Sequence, residues 1–377
     1  MSTSAIRPLI ILGTRPEAIK LAPVIAECRS RLEDVNPIVC STGQHREMLA
    51  QVLGYFGIEP DVDLKLMQPG QSLVGLTAAC VEAVDQVIGS HRPDCIVVQG
   101  DTTTVMASAI AAFYRRVPIV HVEAGLRTGD LDAPWPEEFN RRVAGIVATC
   151  HCAPTIGAAE ALYREGVLES AVRVTGNTVI DALLWTAEKE RAAPDRWKEK
   201  YPMAVDQSLV LVTGHRRENF GTGLSNICGA ISDLAEGFPE LQFLYPVHLN
   251  PNVRGPVTEA LGGRGNVHLL PPASYPEFVW LMDQSRLIIT DSGGVQEEAP
   301  TLGKPVLVTR EKTERPEAVE AGLAELVGTD RVQIVQRAAF HLRLPQAKNG
   351  MSHAENPYGD GQASRRIVEW MLSEVTA

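Results

Sequence analysis

The chain has no Gly-x-Gly-x-x-Gly fingerprint. Gly221-Thr-Gly223 is followed by Asn226, and Gly359-Asp-Gly361 by Ser364, where a third glycine belongs. That argues against a dinucleotide bound in the first βα turn. No tyrosine is followed four residues on by lysine, which removes the usual dehydrogenase pair. Gly303-Lys304 lacks the upstream glycine of a P-loop and runs into Pro305, and Gly-x-Ser-x-Gly is absent, so neither a Walker motif nor a hydrolase elbow has support. Positive charge is also in short supply. With 35 Lys and Arg against 46 Asp and Glu, the net charge is −11, which argues against nucleic acid or an anionic membrane surface as a partner, though not against a local cationic pocket for a small polyanion. The N-terminus carries no secretory pattern and no run approaches the length of a membrane span, so a cytoplasmic protein is expected. The seven cysteines are odd in number and scattered through apolar runs, as buried thiols in a reducing compartment are. Cys150-His151-Cys152 has metal-ligand types but no second pair at metal spacing, so no metal is expected.

At 377 residues the chain exceeds the size at which one hydrophobic core stops growing. Short apolar runs alternate with helical patterns from the start: Pro8–Leu12, Ile38–Cys40, Cys95–Val98 and Ile119–Val122 each precede a helical stretch. After a Lys, Glu, Arg and Pro-rich piece from Glu188 to Pro202, a second set begins with Leu209–Thr213 and continues through Leu241–Tyr245, Val267–Leu270, Leu287–Thr290 and Val306–Thr309. This is the pattern of βαβ units on parallel sheets. The expectation is an α/β protein of two Rossmann-like, doubly wound domains, residues 1–176 and 177–358, facing a central cleft, with a final helix within 359–377 crossing back to the first.

The residues with chemistry sit where strands end. Gly13-Thr-Arg15-Pro-Glu-Ala-Ile-Lys20 follows the first strand and holds a cation at its carboxyl end. Gly100-Asp101 and His121-Val-Glu123 follow two more strands, and Glu137 comes soon after, so three carboxylates converge on one sheet edge, where they can divide acid and base duties. In the second half His215 follows its strand beside two arginines, placed for anion recognition or proton transfer. Asp291-Ser292-Gly293-Gly294-Val-Gln-Glu-Glu298 forms a strand-to-helix turn whose glycines and helix N-terminus suit a phosphate or ribose; the plainer alternative is a Ser-capped helix. Phe278 offers a face for stacking on a base, or core packing, and Arg315 supplies a cation near the glycine turn.

In order, the motifs Gly-Thr-Arg-Pro-Glu-Ala-Ile-Lys20, Gly-Gln44-His45-Arg-Glu, Gly-Asp101-Thr-Thr-Thr, His-Val-Glu123-Ala-Gly-Leu-Arg-Thr-Gly, Pro-Glu137-Glu-x-Asn-Arg, Gly-Asn-Thr-Val-Ile-Asp181, Gly-His215-Arg-Arg-Glu-Asn, Asp-Ser292-Gly-Gly-x-Gln-Glu-Glu298 and Thr-Glu-Arg315-Pro-Glu closely resemble the non-hydrolysing UDP-N-acetylglucosamine 2-epimerases of bacteria. The resemblance runs from Arg7 to the C-terminal helix. It implies a glycosyltransferase-B type fold, a cofactor-free homodimer, and interconversion of UDP-N-acetylglucosamine and UDP-N-acetylmannosamine through elimination of UDP to 2-acetamidoglucal. It further implies that Asp101, Glu123 and Glu137 are the acid/base carboxylates with His215 at the phosphates or sugar. Arg15, Lys20 and Arg315 are expected at phosphate and sugar, Ser292, Gly293 and Gly294 at the diphosphate, Glu298 at the ribose and Phe278 at the uracil. Gln44 and His45 are effector contacts or lid residues. The chain departs from some relatives at Ala273, where they carry Gln, and at Met67–Gln71, which lacks the cation of an effector site.

Overall fold

The first strand, β1 (Pro8–Leu12), is buried along its whole length, as a central strand covered on both faces must be. The computed structural model describes residues 5–43, 46–68, 70–204, 208–344 and 356–375. They form two units, residues 1–182 with 358–377, and residues 183–357.

In the first unit β1 leads into α1 (Arg15–Ser30), β2 (Ile38–Ser41), α2 (Arg46–Phe56), the short β3 (Val62–Asp63) and α3 (Leu73–His91). Then follow β4 (Cys95–Gln99), α4 (Thr103–Arg115), β5 (Ile119–Val122), α5 (Glu137–Val147), β6 (Cys150–Ala153), α6 (Ile156–Arg164) and β7 (Val172–Val174). The strands pair in the order β3-β2-β1-β4-β5-β6-β7, all parallel. Strand order reverses between β1 and β4, and the loops leaving those two carboxyl ends open onto the crevice where doubly wound sheets bind ligands.

α7 (Thr178–Ala192) carries the chain out of the first unit, followed by α8 (Asp195–Lys200). The second unit contains β8 (Leu209–Thr213), α9 (Thr222–Gly237), β9 (Gln242–Pro246), α10 (Pro251–Leu261), β10 (Val267–Leu270) and α11 (Tyr275–Gln284). It continues with β11 (Ser285–Thr290), α12 (Gly293–Thr301), β12 (Val306–Val308), α13 (Pro316–Glu320), β13 (Ala324–Leu326) and α14 (Arg331–Arg343). Its parallel order is β10-β9-β8-β11-β12-β13, with the reversal between β8 and β11. A core of Val210, Phe243, Leu287 and Leu307 from the strands, with Ile227, Ile231 and Ile334 from α9 and α14, seals one face of that sheet. The last helix, α15 (Ala363–Val375), returns to the first unit and packs on α1. Its first turn is capped by Asp181, whose carboxylate accepts from the backbone N–H groups of Ala363 and Ser364 at 3.2 and 2.8 Å.

α3 is long and apolar enough to cross a bilayer by length and composition, with 19 residues and a mean hydropathy of 1.3. Its Cys80, Val84, Val87 and Ile88 pack into the core of the first sheet, while Asp85 pairs with Arg115 of α4. The apolar residues are therefore one docked stripe of an amphipathic helix, as their helical spacing in the sequence implies.

Candidate active site

At the reversal of the first sheet the loop after β1 is drawn tight. A Cβ on Gly13 would lie 2.3 Å from Thr42 Oγ1 and 2.6 Å from Thr104 Oγ1, so only glycine fits without a shift. Thr14 caps α1 and Glu17 closes the capping box, accepting from Thr14 N at 2.6 Å and Gly13 N at 3.0 Å. Thr102 Oγ1 also donates to Glu17 at 2.7 Å, which ties the loop after β1 to the loop after β4. Burial pushes the Glu17 carboxyl above its ordinary range against these hydrogen bonds. Arg15, the first residue of α1, is exposed.

Lys20, further along α1, reaches Glu123. That residue follows β5 with φ +62°, a left-handed backbone that non-glycine residues seldom adopt. Its buried carboxylate accepts from Lys20 Nζ at 2.6 and 2.7 Å, from Asn177 Nδ2 at 3.0 Å and from Gln99 Nε2. Beside it, Asp101 follows Gly100 at the end of β4. His121 Nε2 donates to the Gly100 carbonyl at 2.7 Å, Asn140 Nδ2 donates to the Asp101 carbonyl at 3.0 Å, and Arg141 pairs with the Asp101 carboxylate. Burial raises the Asp101 pKa, opposed by the Arg141 guanidinium, reinforced by the charge of Glu123 and opposed again by Lys20.

α5 brings the third carboxylate. Glu138 is fully buried and accepts from Thr128 N at 3.0 Å and Gly129 N at 3.3 Å while pairing with Arg142 at 3.0 Å, so it is the strut that holds the loop before α5. Glu137 is half-buried and has no hydrogen-bond or ion-pair partner among the described residues. Being one turn before Arg141 on the same helix, it shares the face that meets Asp101.

In the second unit the reversal brings the loop after β8 against the loop after β11. Asp291, 1 % exposed, accepts from the backbone N–H groups of His215 and Arg216, both at 2.9 Å, and from Asn219 Nδ2 at 3.2 Å. It braces the His215 loop and has no face left for a ligand. His215 stacks on His248 with ring centroids 5.7 Å apart. Burial holds the His215 imidazole below its ordinary range, against the opposite pull of Asp291. Ser292 occupies the N-cap of α12, yet its side chain makes no capping hydrogen bond. The N–H groups at the start of α12 therefore receive no hydrogen bond from the Ser292 side chain, and Arg216 Nη2 comes within 3.6 Å of where a Gly293 Cβ would be. Glu298, a turn further on, accepts from Tyr275 Oη at 3.3 Å. Phe278 is half-buried on α11, one turn after Tyr275.

A profile of the UDP-N-acetylglucosamine 2-epimerase family matches residues 27–372. The UDP-N-acetylglucosamine 2-epimerase of Escherichia coli K12 is 51 % identical over 365 residues, 96 % of this chain and 97 % of that one. The chain belongs to the UDP-N-acetylglucosamine 2-epimerase family. Among solved structures, the UDP-GlcNAc 2-epimerase of Neisseria meningitidis bound to UDP-GlcNAc superposes with a TM-score of 0.90 at 46 % identity, covering 98 % of this chain and 100 % of its own. A Staphylococcus aureus protein solved with UDP gives 0.85 at 43 % identity over 99 % and 98 % of the two chains. The α/β fold of two doubly wound sheets is that of these epimerase structures.

Within this family member, the first sheet edge gathers Arg15, Lys20, Asp101, Glu123 and Glu137, and the second gathers His215, Ser292, Gly293, Gly294 and Glu298. Arg315 pairs with Glu297 and so fastens its loop to α12, the helix that starts at the Gly293-Gly294 turn. Gln44 and His45 lie outside the described residues. Sequence reasoning passed over Gln99, Asn177, Arg141 and Tyr275. Asn177 and Arg141 do lie in two of the motifs that carry the family resemblance, and the i, i+4 spacing of Glu137 and Arg141 is a further signal; nothing local points to Gln99 or Tyr275. Cys150 and Cys152 leave one face of β6 and His151 the other, so the three cannot converge on an ion. Among the described residues no group of three or more His, Cys, Asp or Glu is placed to hold a metal.

Proposed function

We propose that this protein interconverts UDP-N-acetylglucosamine and UDP-N-acetylmannosamine by eliminating UDP and adding it back. The hydrogen at sugar C2 has no neighbouring carbonyl, so removing it alone is too costly. If the C1–O bond to UDP breaks as the C2 proton leaves, a C1=C2 double bond forms and the product is 2-acetamidoglucal. Re-addition of UDP at C1, with a proton delivered to the opposite face of C2, gives the epimer, and the net oxidation state is unchanged.

The observation that carries this reading is the unlike setting of two neighbouring carboxyl groups. Asp101 is pushed by burial toward its protonated form, whereas Glu123 is held as a hydrogen-bond acceptor by an ammonium and two amides. With Glu137 unpaired among the described residues and on the same side of α5 as Arg141, a proton can be taken and returned by different groups. The α12 N-terminus, Arg216 and His215 take the departing diphosphate, Glu298 the ribose, and Phe278 the uracil, with Arg15 contributing charge at the sugar end. Family membership supports the reaction as a whole.

We further propose a cytoplasmic homodimer. The seven cysteines are free and buried, which suits a reducing compartment. Leu73 and Val74 at the start of α3 are exposed apolar residues, which suits contact with a second copy.

Incubation with UDP-N-acetylglucosamine in deuterated water, followed by NMR, tests the reaction. UDP-N-acetylmannosamine labelled at C2 is the expected product. Free N-acetylmannosamine would instead mark a hydrolysing epimerase, and no exchange a glycosyltransferase or a silent sugar-nucleotide sensor.

A further inference from the structure

We propose that Asn177 is a positioning residue for Glu123, setting the carboxylate in the orientation that turnover requires. The inference rests on the epimerase reading above. Asn177 is 2 % exposed and sits between the end of β7 and the start of α7. The direction of its amide is not open to choice. Oδ1 accepts from the backbone N–H of Val179 at 3.1 Å, so Nδ2 is the group that faces Glu123 Oε1 at 3.0 Å, and an amide nitrogen only donates.

Three observations separate this from ordinary helix capping. The side chain reaches 54 residues back along the chain to a carboxylate that is nearly fully buried. Glu123 sits on left-handed backbone, which a non-glycine residue keeps only where its surroundings over-determine it, so its contacts hold it in place. Asn177 is also anchored through its main chain: its N–H donates to the carbonyl of Tyr358 at 2.7 Å. The chain leaves the first unit after residue 182 and re-enters it at residue 358, so one asparagine is tied to both passages and to the acid/base cluster. The adjoining Gly176, at φ +87°, permits the close approach: its Cβ position lies 3.4 Å from the Gly359 Cα.

The amide is a donor that a carboxyl group can imitate only when protonated, and that gives the test. Asn177→Asp keeps the acceptor for Val179 N but sets a second carboxylate against Glu123, so turnover at pH 8 should fall at least about tenfold while UDP affinity stays within about threefold. The introduced carboxyl, raised by its neighbour, should regain a proton in mild acid and donate again. The variant-to-wild-type ratio of kcat is then expected to climb by about tenfold between pH 8 and pH 6. Asn177→Ser keeps an oxygen for Val179 N and cannot reach Glu123; its turnover should drop without any recovery in acid, in protein that thermal unfolding shows to be folded at the assay temperature. Wild-type kcat in the serine variant, or a loss in the aspartate variant that is the same at every pH, overturns the proposal. A wild-type protein that shows no C2 exchange removes the epimerase reading and this inference together, whereas exchange in wild type and variants alike removes only this one.

Discussion

Lys20 Nζ lies 2.6 and 2.7 Å from the two carboxylate oxygens of Glu123, 103 residues away in the chain. The glutamate side chain is 5 % exposed and the lysine 18 %, so water screens the pair weakly. Removing the ammonium leaves a buried charge with only neutral donors. Lys20→Met is expected to cost about 2–4 kcal/mol in denaturant unfolding, and Lys20→Met combined with Glu123→Gln should recover much of that loss. Additive losses in the double variant would mean that the two groups are not coupled.

Asp101 and Glu137 carry the chemistry in the proposed reaction and do little for nucleotide binding. Asp101→Asn and Glu137→Gln should each lower turnover by about 100-fold or more, with UDP affinity by calorimetry nearly unchanged. Near-normal turnover in both removes them from the mechanism.

The bare N-terminus of α12 allows a sharp test, because capping and anion binding predict opposite consequences of one change. Ser292→Asp supplies a better cap and should raise stability by up to about 1 kcal/mol, yet its carboxylate occupies the anion's place. UDP affinity should fall by about tenfold or more. A stabilised variant that binds UDP as well as the parent argues against a diphosphate at Gly293 and Gly294.

His121 and His151 lie side by side on β5 and β6, and burial lowers each pKa to about 4. The unfolded chain binds protons to these rings near pH 6.5, whereas the folded chain does not until about pH 4. Stability is therefore full above pH 6.5 and falls as pH drops toward 4, by roughly 3 kcal/mol for His121. His121→Gln, which retains a donor toward the Gly100 carbonyl, should flatten the slope of unfolding free energy between pH 6.5 and 4. An unchanged slope would show that the His121 ring is not a source of acid lability.

Two glycines should respond unequally to one methyl group. At Gly125, with φ +94°, a Cβ would lie 2.2 Å from the carbonyl oxygen of Ala158, which cannot turn aside. At Gly13 the nearest atoms are threonine hydroxyls, which can rotate. Gly125→Ala is expected to lose about 4 kcal/mol or more and Gly13→Ala about 1–3 kcal/mol, both measured by thermal unfolding. Equal losses would show that the backbone contact at Gly125 relaxes.

Strands of four or five residues were legible because each is an apolar run bounded by a turn and a helical pattern; Leu209–Thr213, Val267–Leu270 and Ile119–Val122 occur where periodicity put them. The shortest edge strands were not. β3 has two residues and β13 three, too short for any alternation to register. Among the site residues, Ser292, Gly293 and Gly294 were legible as a strand-to-helix turn because the turn's chemistry is local. Asp291, next to them, reads as part of the same ligand turn and proves to be a brace, since nothing in its neighbours reveals the backbone N–H groups of His215 and Arg216 across the sheet.

The order of residues alone determined the alternation of strand and helix, and with it the rule that Asp101, Glu123, His215 and Ser292 all emerge at carboxyl ends of parallel strands, because side-chain periodicity and turn chemistry act over a few residues. Only the tertiary structure decided that Glu123 meets Lys20, Gln99 and Asn177, that Asp101 meets Arg141, and that Glu137 hydrogen-bonds and ion-pairs with none of the described residues. The reason is that desolvation and ion pairing belong to the space around a group, and that space is filled by residues far away in the chain.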